Sequence, residues 1–172
     1  MFFIKTSSSS GRPTRDSPAA LYGDLPERVT LLSGRPILVV PFAGKFGAVG
    51  ERVLVAWRTG RESVRALHGA MPLMSGAKQV CVFGVDQPDA ENSSSLAEVC
   101  SYLTRHEIPA RADRQIAVDI SIGDVLLNQA WEEGCDLLVM GAYSPNAQGA
   151  LTLGPVARHV LRHMTIPVLM SH

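Results

Sequence analysis

The sequence predicts a doubly wound (Rossmann-like) α/β fold: a five-stranded parallel sheet with helices on both faces, plus an extra N-terminal helix and strand. From residue 51 onward, short apolar runs alternate with longer stretches whose apolar residues recur at helical spacing. Units of strand, helix and strand give right-handed crossovers and parallel pairing. DLLVMG, residues 136–141, holds a continuous apolar run, which is typical of a central strand covered on both faces.

Each predicted element has a local signal. The strands are expected at residues 52–57, 79–85, 114–119, 136–141 and 166–171, and the helices at residues 61–74, 94–107, 121–134 and 155–164. Ser94 or Ser95 is a plausible N-cap for the second helix, and Gly134 closes the third. Pro155 suits the first turn of the last helix. In such sheets a ligand lies beyond the carboxyl ends of the strands, so we expect the site there.

Length and composition limit the classes of protein. At 172 residues the chain fits one domain with a short appendage. The formal net charge is zero, which favours neither nucleic acid nor membrane as a partner. Residues 1–5 lack the pattern of a secretory signal, so we expect a soluble, cytoplasmic protein. Cys81, Cys100 and Cys135 have no CxxC spacing and are expected to be reduced structural thiols.

The first fifty residues contain a match to the end of the chain. The segment of residues 23–40 contains a stretch that aligns without a gap on residues 154–170, with Gly23 matching Gly154 and Pro36 matching Pro167. In both segments a helical stretch lies between the Gly and the Pro, and an apolar strand follows. We therefore predict that residues 23–45 repeat the final helix and strand of the main domain. Residues 1–22, rich in Ser, Pro and Gly, are expected to form a flexible leader.

Three longer motifs carry a resemblance to a known family. They are RVLVAW with the helix RESVRALH after it, the central DLLVMGAYS, and the closing LGPVARHVLRHMTIPVLMS. With them, residues 51–172 resemble a universal stress protein (UspA-like) domain. The whole chain resembles the second half of a tandem universal stress protein with the end of the first half attached. The resemblance implies a cytoplasmic bacterial stress-response protein, commonly dimeric, in a family with some ATP-binding members.

The ATP-binding members have a glycine signature after the fourth strand: Gly, two residues, Gly, nine residues, Gly, then Ser or Thr. This chain keeps the spacing with Gly141, Ser144, Gly154 and Pro155. Ser144 replaces a glycine that lets the backbone approach a phosphate and adopt positive φ. Pro155 replaces a residue with a hydroxyl and an amide N–H, and it has neither. The two changes predict a degraded nucleotide site.

A third change lies at the end of the first strand. Nucleotide-binding members have an Asp there, where this chain has Arg58 after Trp57. A guanidinium only donates, so Arg58 does not repeat the contact of a carboxylate with a ribose or base edge. Arg58 either grips a phosphate or other anion, or forms a surface ion pair with Glu62. Trp57 either stacks on a base or belongs to the core. The candidate nucleotide-binding residues are Trp57, Arg58, Val85, Gly141, Ser144, Gly154 and Pro155.

No catalytic set and no metal site are predicted. His159 and His163 have a metal-chelating spacing, but Arg158 and Arg162 beside them repel a cation, so a solvated basic face is preferred. Asp86 follows the second strand and either contacts a ligand or is solvated. A Walker loop, a nucleophile elbow and an HExxH helix are absent from the sequence.

Two functions are compatible with these observations. The first is a non-enzymatic regulatory or assembly module with a degraded nucleotide site and no cofactor. The alternative is an ATP-binding universal stress protein that holds phosphates with Arg58 and the backbone of residues 141–144, with slow ATP hydrolysis left open.

The sequence also predicts an assembly contact. The apolar last strand, residues 166–170, would be an exposed sheet edge unless another strand paired with it. In the family the last strands of two units pair across a dyad. We expect residues 36–40 to pair with residues 166–170, within one chain or between the two chains of a homodimer.

Overall fold

The computed structural model describes residues 2–6, 34–86, 95–145 and 151–171. Their elements, in chain order, are β1 Phe2–Thr6, β2 Ile37–Pro41, β3 Arg52–Ala56, α1 Arg61–Met74, β4 Gln79–Asp86, α2 Leu96–Arg105, β5 Ala110–Ile116, α3 Ile122–Glu132, β6 Leu137–Gly141, β7 Tyr143–Pro145, β8 Leu151–Leu153, α4 Pro155–His163 and β9 Val168–Ser171. Among the described residues, no helix has the length and apolar character that crossing a bilayer requires.

One sheet of seven strands organises the molecule, in the order β1-β2-β9-β6-β3-β4-β5. The five strands from β9 to β5 all run parallel, which confirms the predicted fold class. A small second sheet consists of β7 and β8, paired antiparallel. The predicted helix between residues 23 and 36 falls largely outside the described residues.

The helices cover the sheet in two layers. On one face, α1 and α2 bury residues such as Leu67 and Leu103 against Val55. On the other face, α3 and α4 bury residues such as Leu126 and Val160. Alternate residues of each central strand enter the two clusters, as a strand with period two requires. The continuous apolar run in β6 is explained by this double coverage.

The third strand of the main domain differs from its prediction. β5 begins at Ala110 and ends at Ile116, whereas the sequence pattern pointed to residues 114–119. β5 is the last strand of the sheet, so its outer edge has no partner strand among the described residues. Its exposed Arg111 and charged Asp113 break the apolar pattern that marks a covered strand, and charges at an edge oppose further pairing. Val118, inside the predicted strand, is 61% exposed.

The predicted N-terminal repeat contains β2, and the strand that the repeat matches with β2 is β9. β2 pairs antiparallel with β9, which confirms the predicted pairing and shows it within one chain. Leu38 lies opposite Leu169, and these two residues are equivalent in the sequence repeat. Ile37 lies opposite Met170 and Val39 opposite Val168, so the repeat-equivalent strands are related by a local two-fold axis at the Leu38–Leu169 pair.

β1 was not predicted, because Phe2–Thr6 falls in the segment assigned to a flexible leader. In the structure these residues form a strand parallel to β2, so the leader prediction is wrong for them; the rest of residues 1–22 lies outside the described residues. β1 lies beside β2 as β6 lies beside β9, with Phe2 opposite Ile37 and Leu138 opposite Val168. Since Ile37 and Val168 are equivalent in the repeat, β1 corresponds to β6. In the structure, β1 and β2 therefore pair with each other as β6 and β9 do.

A single carboxylate fixes the start of β3. Asp136 accepts three backbone hydrogen bonds: from Gly50 N at 2.7 Å, Glu51 N at 3.0 Å and Arg52 N at 3.2 Å. Gly50 has a φ of +100°, a conformation that strongly favours glycine. These hydrogen bonds hold the segment that leads into β3 against the turn that precedes β6.

The N-terminal segment also touches α1. A Cβ at Gly69 would lie 2.3 Å from Pro36 Cγ, so α1 approaches the start of β2 closely only because residue 69 has no side chain. Pro36 is the residue that the repeat matches with Pro167. The contact attaches β2 to the main domain in addition to its pairing with β9.

Substituting Gly69→Ala is expected to destabilise the protein by about 1–2 kcal/mol, because the methyl group collides with Pro36. In an unobstructed helix the same change would stabilise by about 1 kcal/mol. Urea unfolding measures the difference, and hydrogen exchange of the β2 amides is expected to accelerate. The substitution Pro36→Gly removes the collision. In that background, Gly69→Ala is expected to lower the free energy of unfolding by less than it does in the native chain. A stabilised Gly69→Ala single variant would contradict the contact.

Candidate functional site

A pocket of about 320 Å³ lies beyond the carboxyl ends of β3, β4 and β6. The first turns of α1, α3 and α4 form its walls, as expected for a doubly wound sheet. Its lining consists of Ala56, Trp57, Arg58, Gly60, Glu62, Ser63, Phe83, Val85, Ile122, Leu126, Met140, Gly141, Ala142, Gly154, Pro155, Val156 and Ala157.

The structure brings most of the candidate residues together. Those found in the pocket lining are Trp57, Arg58, Val85, Gly141, Gly154 and Pro155. Ser144, the remaining candidate, lies in β7. Whether these residues bind a nucleotide stays a prediction.

Sequence reasoning missed two groups of lining residues. Glu62 and Ser63 belong to the first turn of α1, and Phe83, Leu126 and Met140 are apolar residues of the α3 and α4 layer. The first pair had a usable signal: a helix that follows a strand begins at the same edge of the sheet where the strand ends. The apolar residues had none, because core and pocket lining show the same pattern in a sequence.

Trp57 belongs to the core as well as to the pocket wall. Trp57 is 9% exposed and packs in the core cluster beneath α1 and α2. Its backbone N–H donates a hydrogen bond to the Phe83 carbonyl at 2.8 Å. The indole Nε1 is buried and has no hydrogen-bond partner. The ring is thus held in place by packing on the β3 side of the pocket.

The loop between β6 and α4 uses backbone amides within the chain. The Ala142 N–H donates to the Ser171 carbonyl, and the Gly154 N–H donates to the Ala142 carbonyl, both at 2.9 Å. Ser144 pairs with Thr152 in the β7–β8 hairpin. Gly154 has a φ of −63°, so no positive φ requires glycine there. Two amides of the signature loop are therefore already bonded at the pocket.

Gly141 has a packing role. A Cβ at this position would lie 2.9 Å from Glu62 Cβ and 3.1 Å from Ser63 N. The first turn of α1 therefore rests against the end of β6, and only glycine allows this approach. The close contact explains Gly141 without any ligand.

Arg58 does not form the ion pair proposed from the sequence. Within the described part of the chain, neither Arg58 nor Glu62 has a charged partner at ion-pair distance, although both line the pocket. The surface-pair interpretation is therefore wrong. The pocket has one cationic and one anionic side chain at its α1 end.

A model of the universal stress protein family matches residues 51–172. The chain belongs to the universal stress protein family. No curated protein sequence matches the chain.

Solved structures of universal stress proteins show the same fold. One from Archaeoglobus fulgidus is 18% identical over 79% of this chain and 49% of its own, with a TM-score of 0.61. One from Burkholderia pseudomallei is 21% identical over 72% of this chain and 97% of its own, with a TM-score of 0.52. A putative member from Pseudomonas aeruginosa is 16% identical over 98% of this chain and 62% of its own, with a TM-score of 0.59. This universal stress protein chain thus spans about half of the first structure.

The histidines of α4 link two helices of this universal stress protein. His159 Nε2 lies 2.7 Å from Asp124 Oδ1 on α3, and the His163 ring packs on the His159 ring with centroids 4.3 Å apart. The Ser121 hydroxyl donates to Asp124 Oδ2 at 2.6 Å. The Ser121 hydrogen bond and, next, the one from His159 lower the pKa of Asp124. Part of the predicted basic face is therefore a contact between α3 and α4.

Asp86 directly follows Val85 but is not itself among the residues that line the pocket. Its Oδ2 accepts a hydrogen bond from Arg114 Nη1 at 2.9 Å, which ties the ends of β4 and β5. The ligand-contact interpretation of Asp86 therefore gains no support from its position.

Two of the three thiols are buried. Burial, with a smaller contribution from the nearby Glu133 carboxylate, raises the pKa of Cys81 to about 12 and that of Cys135 to about 11. Cys81, Asp113 and Glu133 converge, but Arg111 forms salt bridges with both carboxylates and offsets part of their charge. This arrangement is typical of structural thiols and a structural ion-pair network.

Proposed function

We propose that this universal stress protein chain is a non-enzymatic regulatory or assembly module whose nucleotide site is degraded. The observation that carries the proposal is the bonding of the signature loop. Phosphate sites at helix N-termini need free backbone N–H groups aimed at the anion. Here Ala142 N–H and Gly154 N–H are bonded within the chain, and Pro155 has no N–H to offer.

The charges of the pocket support the same proposal. Arg58 occupies the strand end at which nucleotide-binding members have a carboxylate. Glu62 adds a negative charge to the lining, and a carboxylate repels the phosphates of a nucleotide. The pocket therefore lacks the net positive charge that favours a triphosphate.

A non-enzymatic role is supported by the chemistry of the lining. Among its described residues, only Arg58 and Glu62 have ionisable side chains. Ser63 has a hydroxyl, but the described lining holds no histidine, and no hydrogen bond joins this hydroxyl to the carboxylate of Glu62. General acid–base or nucleophilic catalysis needs such a pair within hydrogen-bond reach.

The sheet bears on the assembly part of the proposal. β2 covers the edge of β9 within one chain, so a second chain is not needed to pair with that edge. A homodimer through residues 36–40 and 166–170 would require two chains to exchange β2. Such exchange is a low-cost route to a dimer, because it re-forms contacts that the monomer already has.

The alternative function, ATP binding through an altered contact set, is favoured by one observation. Val156 and Ala157 line the pocket in the first turn of α4, where the first intrahelical bond runs from Arg158 N to the Gly154 carbonyl. Their amides have no intrahelical acceptor and belong to the positive end of the helix dipole. If these amides and Arg58 held the phosphates, the chain would be an ATP-binding member of the family. Slow hydrolysis of the bound ATP is compatible with this alternative.

Millimolar ATP with Mg²⁺ is expected to leave the melting temperature unchanged, because a ligand stabilises only a protein that binds it. Saturation at about 100 times Kd would stabilise by about 2.7 kcal/mol, which corresponds to roughly 5–10 °C for a chain of this size. Differential scanning fluorimetry measures the shift, and mass spectrometry of the purified protein detects retained nucleotide.

A clear upward shift with ATP, or co-purified nucleotide, would overturn the proposal. In that case Arg58→Ala separates the two functions, because the alternative requires the guanidinium for phosphate. Arg65→Ala is the matched control, because Arg65 is an exposed arginine on α1 and lies outside the pocket lining. Equal ATP affinity in the two variants would count against the alternative.

A further inference from the structure

The α1 end of the pocket holds three polar residues, the exposed Arg58, the half-buried Glu62 and the buried Ser63. Within the described residues, Arg58 and Glu62 have no ion pair and the Ser63 hydroxyl has no hydrogen bond. Ser63 is only 8% exposed, so more than nine-tenths of it is buried, and it lines the pocket. The Ser63 hydroxyl thus has no protein partner in the wall of the pocket, where a ligand can donate to it or accept from it.

Backbone donors lie beside these side chains. α1 is 14 residues long and begins after Gly60, which has no side chain to cap it. The first intrahelical bond runs from Val64 N to the Gly60 carbonyl, so the amides of Arg61–Ser63 have no helical acceptor. The positive end of the α1 dipole and the Arg58 guanidinium thus favour an anionic group at the same corner.

The rest of the pocket is apolar. Its other walls are formed by Phe83, Val85, Ile122, Leu126, Met140 and Val156. The volume of about 320 Å³ is at the small end of the range of ligand pockets, roughly 300–1,000 Å³. The ligand that fits is therefore small and has one polar end and one apolar end.

The charges of Arg58 and Glu62 determine which polar group a ligand needs at this end of the pocket. An anion alone would leave Glu62 unpaired and would be repelled by it, and a cation alone would meet the same difficulty with Arg58. A head group with both signs of charge pairs with both side chains through charge-assisted hydrogen bonds. The Ser63 hydroxyl donates to one part of such a head group or accepts from the other.

We propose that the pocket binds a zwitterionic ligand with an apolar body, of the size of a single apolar α-amino acid. Its carboxylate lies toward Arg58 and the first-turn amides of α1, its ammonium toward Glu62, and its side chain among the apolar walls. This inference rests on the proposed function, since it assigns the pocket to a ligand without phosphate.

The experiment uses the full chain with Trp131→Phe, which removes an 80% exposed tryptophan and leaves Trp57 in the pocket wall as the single fluorescent indole. Isothermal titration and Trp57 emission are followed with L-phenylalanine, 3-phenylpropionate, 2-phenylethylamine and ATP. L-phenylalanine is expected to bind saturably. The other two aromatic compounds, each lacking one charge, are expected to bind at least 10-fold more weakly.

Two pairs of variants test the placement. Arg58→Met and Glu62→Gln are each expected to weaken phenylalanine binding at least 10-fold. Their matched controls are Arg65→Met and Glu98→Gln, which change the same residue types at exposed helix positions outside the lining. Circular dichroism and melting temperature confirm that each variant is folded.

Binding of 3-phenylpropionate or 2-phenylethylamine as tight as that of phenylalanine would overturn the zwitterionic head, and equal loss in variants and controls would overturn the placement. Absence of binding by all four compounds overturns the inference and leaves the proposed function standing. Binding of ATP, with none of phenylalanine, overturns both.

Discussion

Deleting residues 1–45 is expected to make the chain aggregate or assemble into a new oligomer. The deletion removes β1 and β2 and exposes the edge of β9, whose residues Val168–Ser171 are all buried. An unpaired, apolar edge strand is a template for pairing with other chains. Size-exclusion chromatography with light scattering measures the assembly, and thioflavin fluorescence detects cross-β aggregation.

A peptide of residues 34–45, which contains β2, is the rescue control for this deletion. Added in excess to the truncated chain during refolding, it is expected to restore the behaviour of the full chain, because it supplies the missing edge. A scrambled peptide of the same composition is expected to have no effect. A truncated chain that stays soluble, with the same assembly as the full chain, would contradict the role assigned to β2.

Gly50→Ala is expected to destabilise the protein by about 4 kcal/mol, which is a large share of the roughly 5–15 kcal/mol stability of a typical domain. Two effects add. A non-glycine residue at a φ of +100° is strained by about 1–3 kcal/mol, and the new Cβ would lie 2.2 Å from the Leu73 carbonyl oxygen, which forces a shift of backbone. The shift also disturbs the three hydrogen bonds that Asp136 accepts.

Urea unfolding monitored by circular dichroism gives the free energy of unfolding for this variant. Gly76→Ala is the matched control, because a Cβ there would have no atom within 4 Å and the backbone has no positive φ. The control is expected to change stability by less than about 0.5 kcal/mol. A Gly50→Ala variant as stable as the control would show that the turn before β3 adjusts without cost.

The sequence predicted the parts of the fold that are covered on both faces. β6 and its neighbours are continuous apolar runs because helices pack on each side of them, and this pattern is visible in a sequence. β5 was misplaced because an edge strand has charged residues such as Arg111 in place of an apolar run. β1 was missed because a Ser-rich stretch follows it directly, and because its position in the sheet depends on pairing with β2.

The candidate site divides in the same way. Positions set by strand ends, such as Arg58, Val85 and Gly141, were predicted and lie at the pocket. The bonding of the Ala142 and Gly154 amides was not predictable, because one of the acceptors is Ser171, near the other end of the domain. The sequence likewise did not indicate that Arg58 and Glu62 are unpaired. Opposite charges four residues apart are usually expected to form an ion pair.

The pairing of β2 with β9 has a consequence for biosynthesis. Ile37 and Met170 are bonded neighbours in the sheet but are separated by about 130 residues of chain. At a translation rate of roughly 5–20 residues per second, β2 emerges some 6–26 s before its partner. During that interval its apolar strand is unpaired and accessible to chaperones, and closing so long a loop is slow compared with local folding. We expect the main domain to form first and the N-terminal strands to join it last.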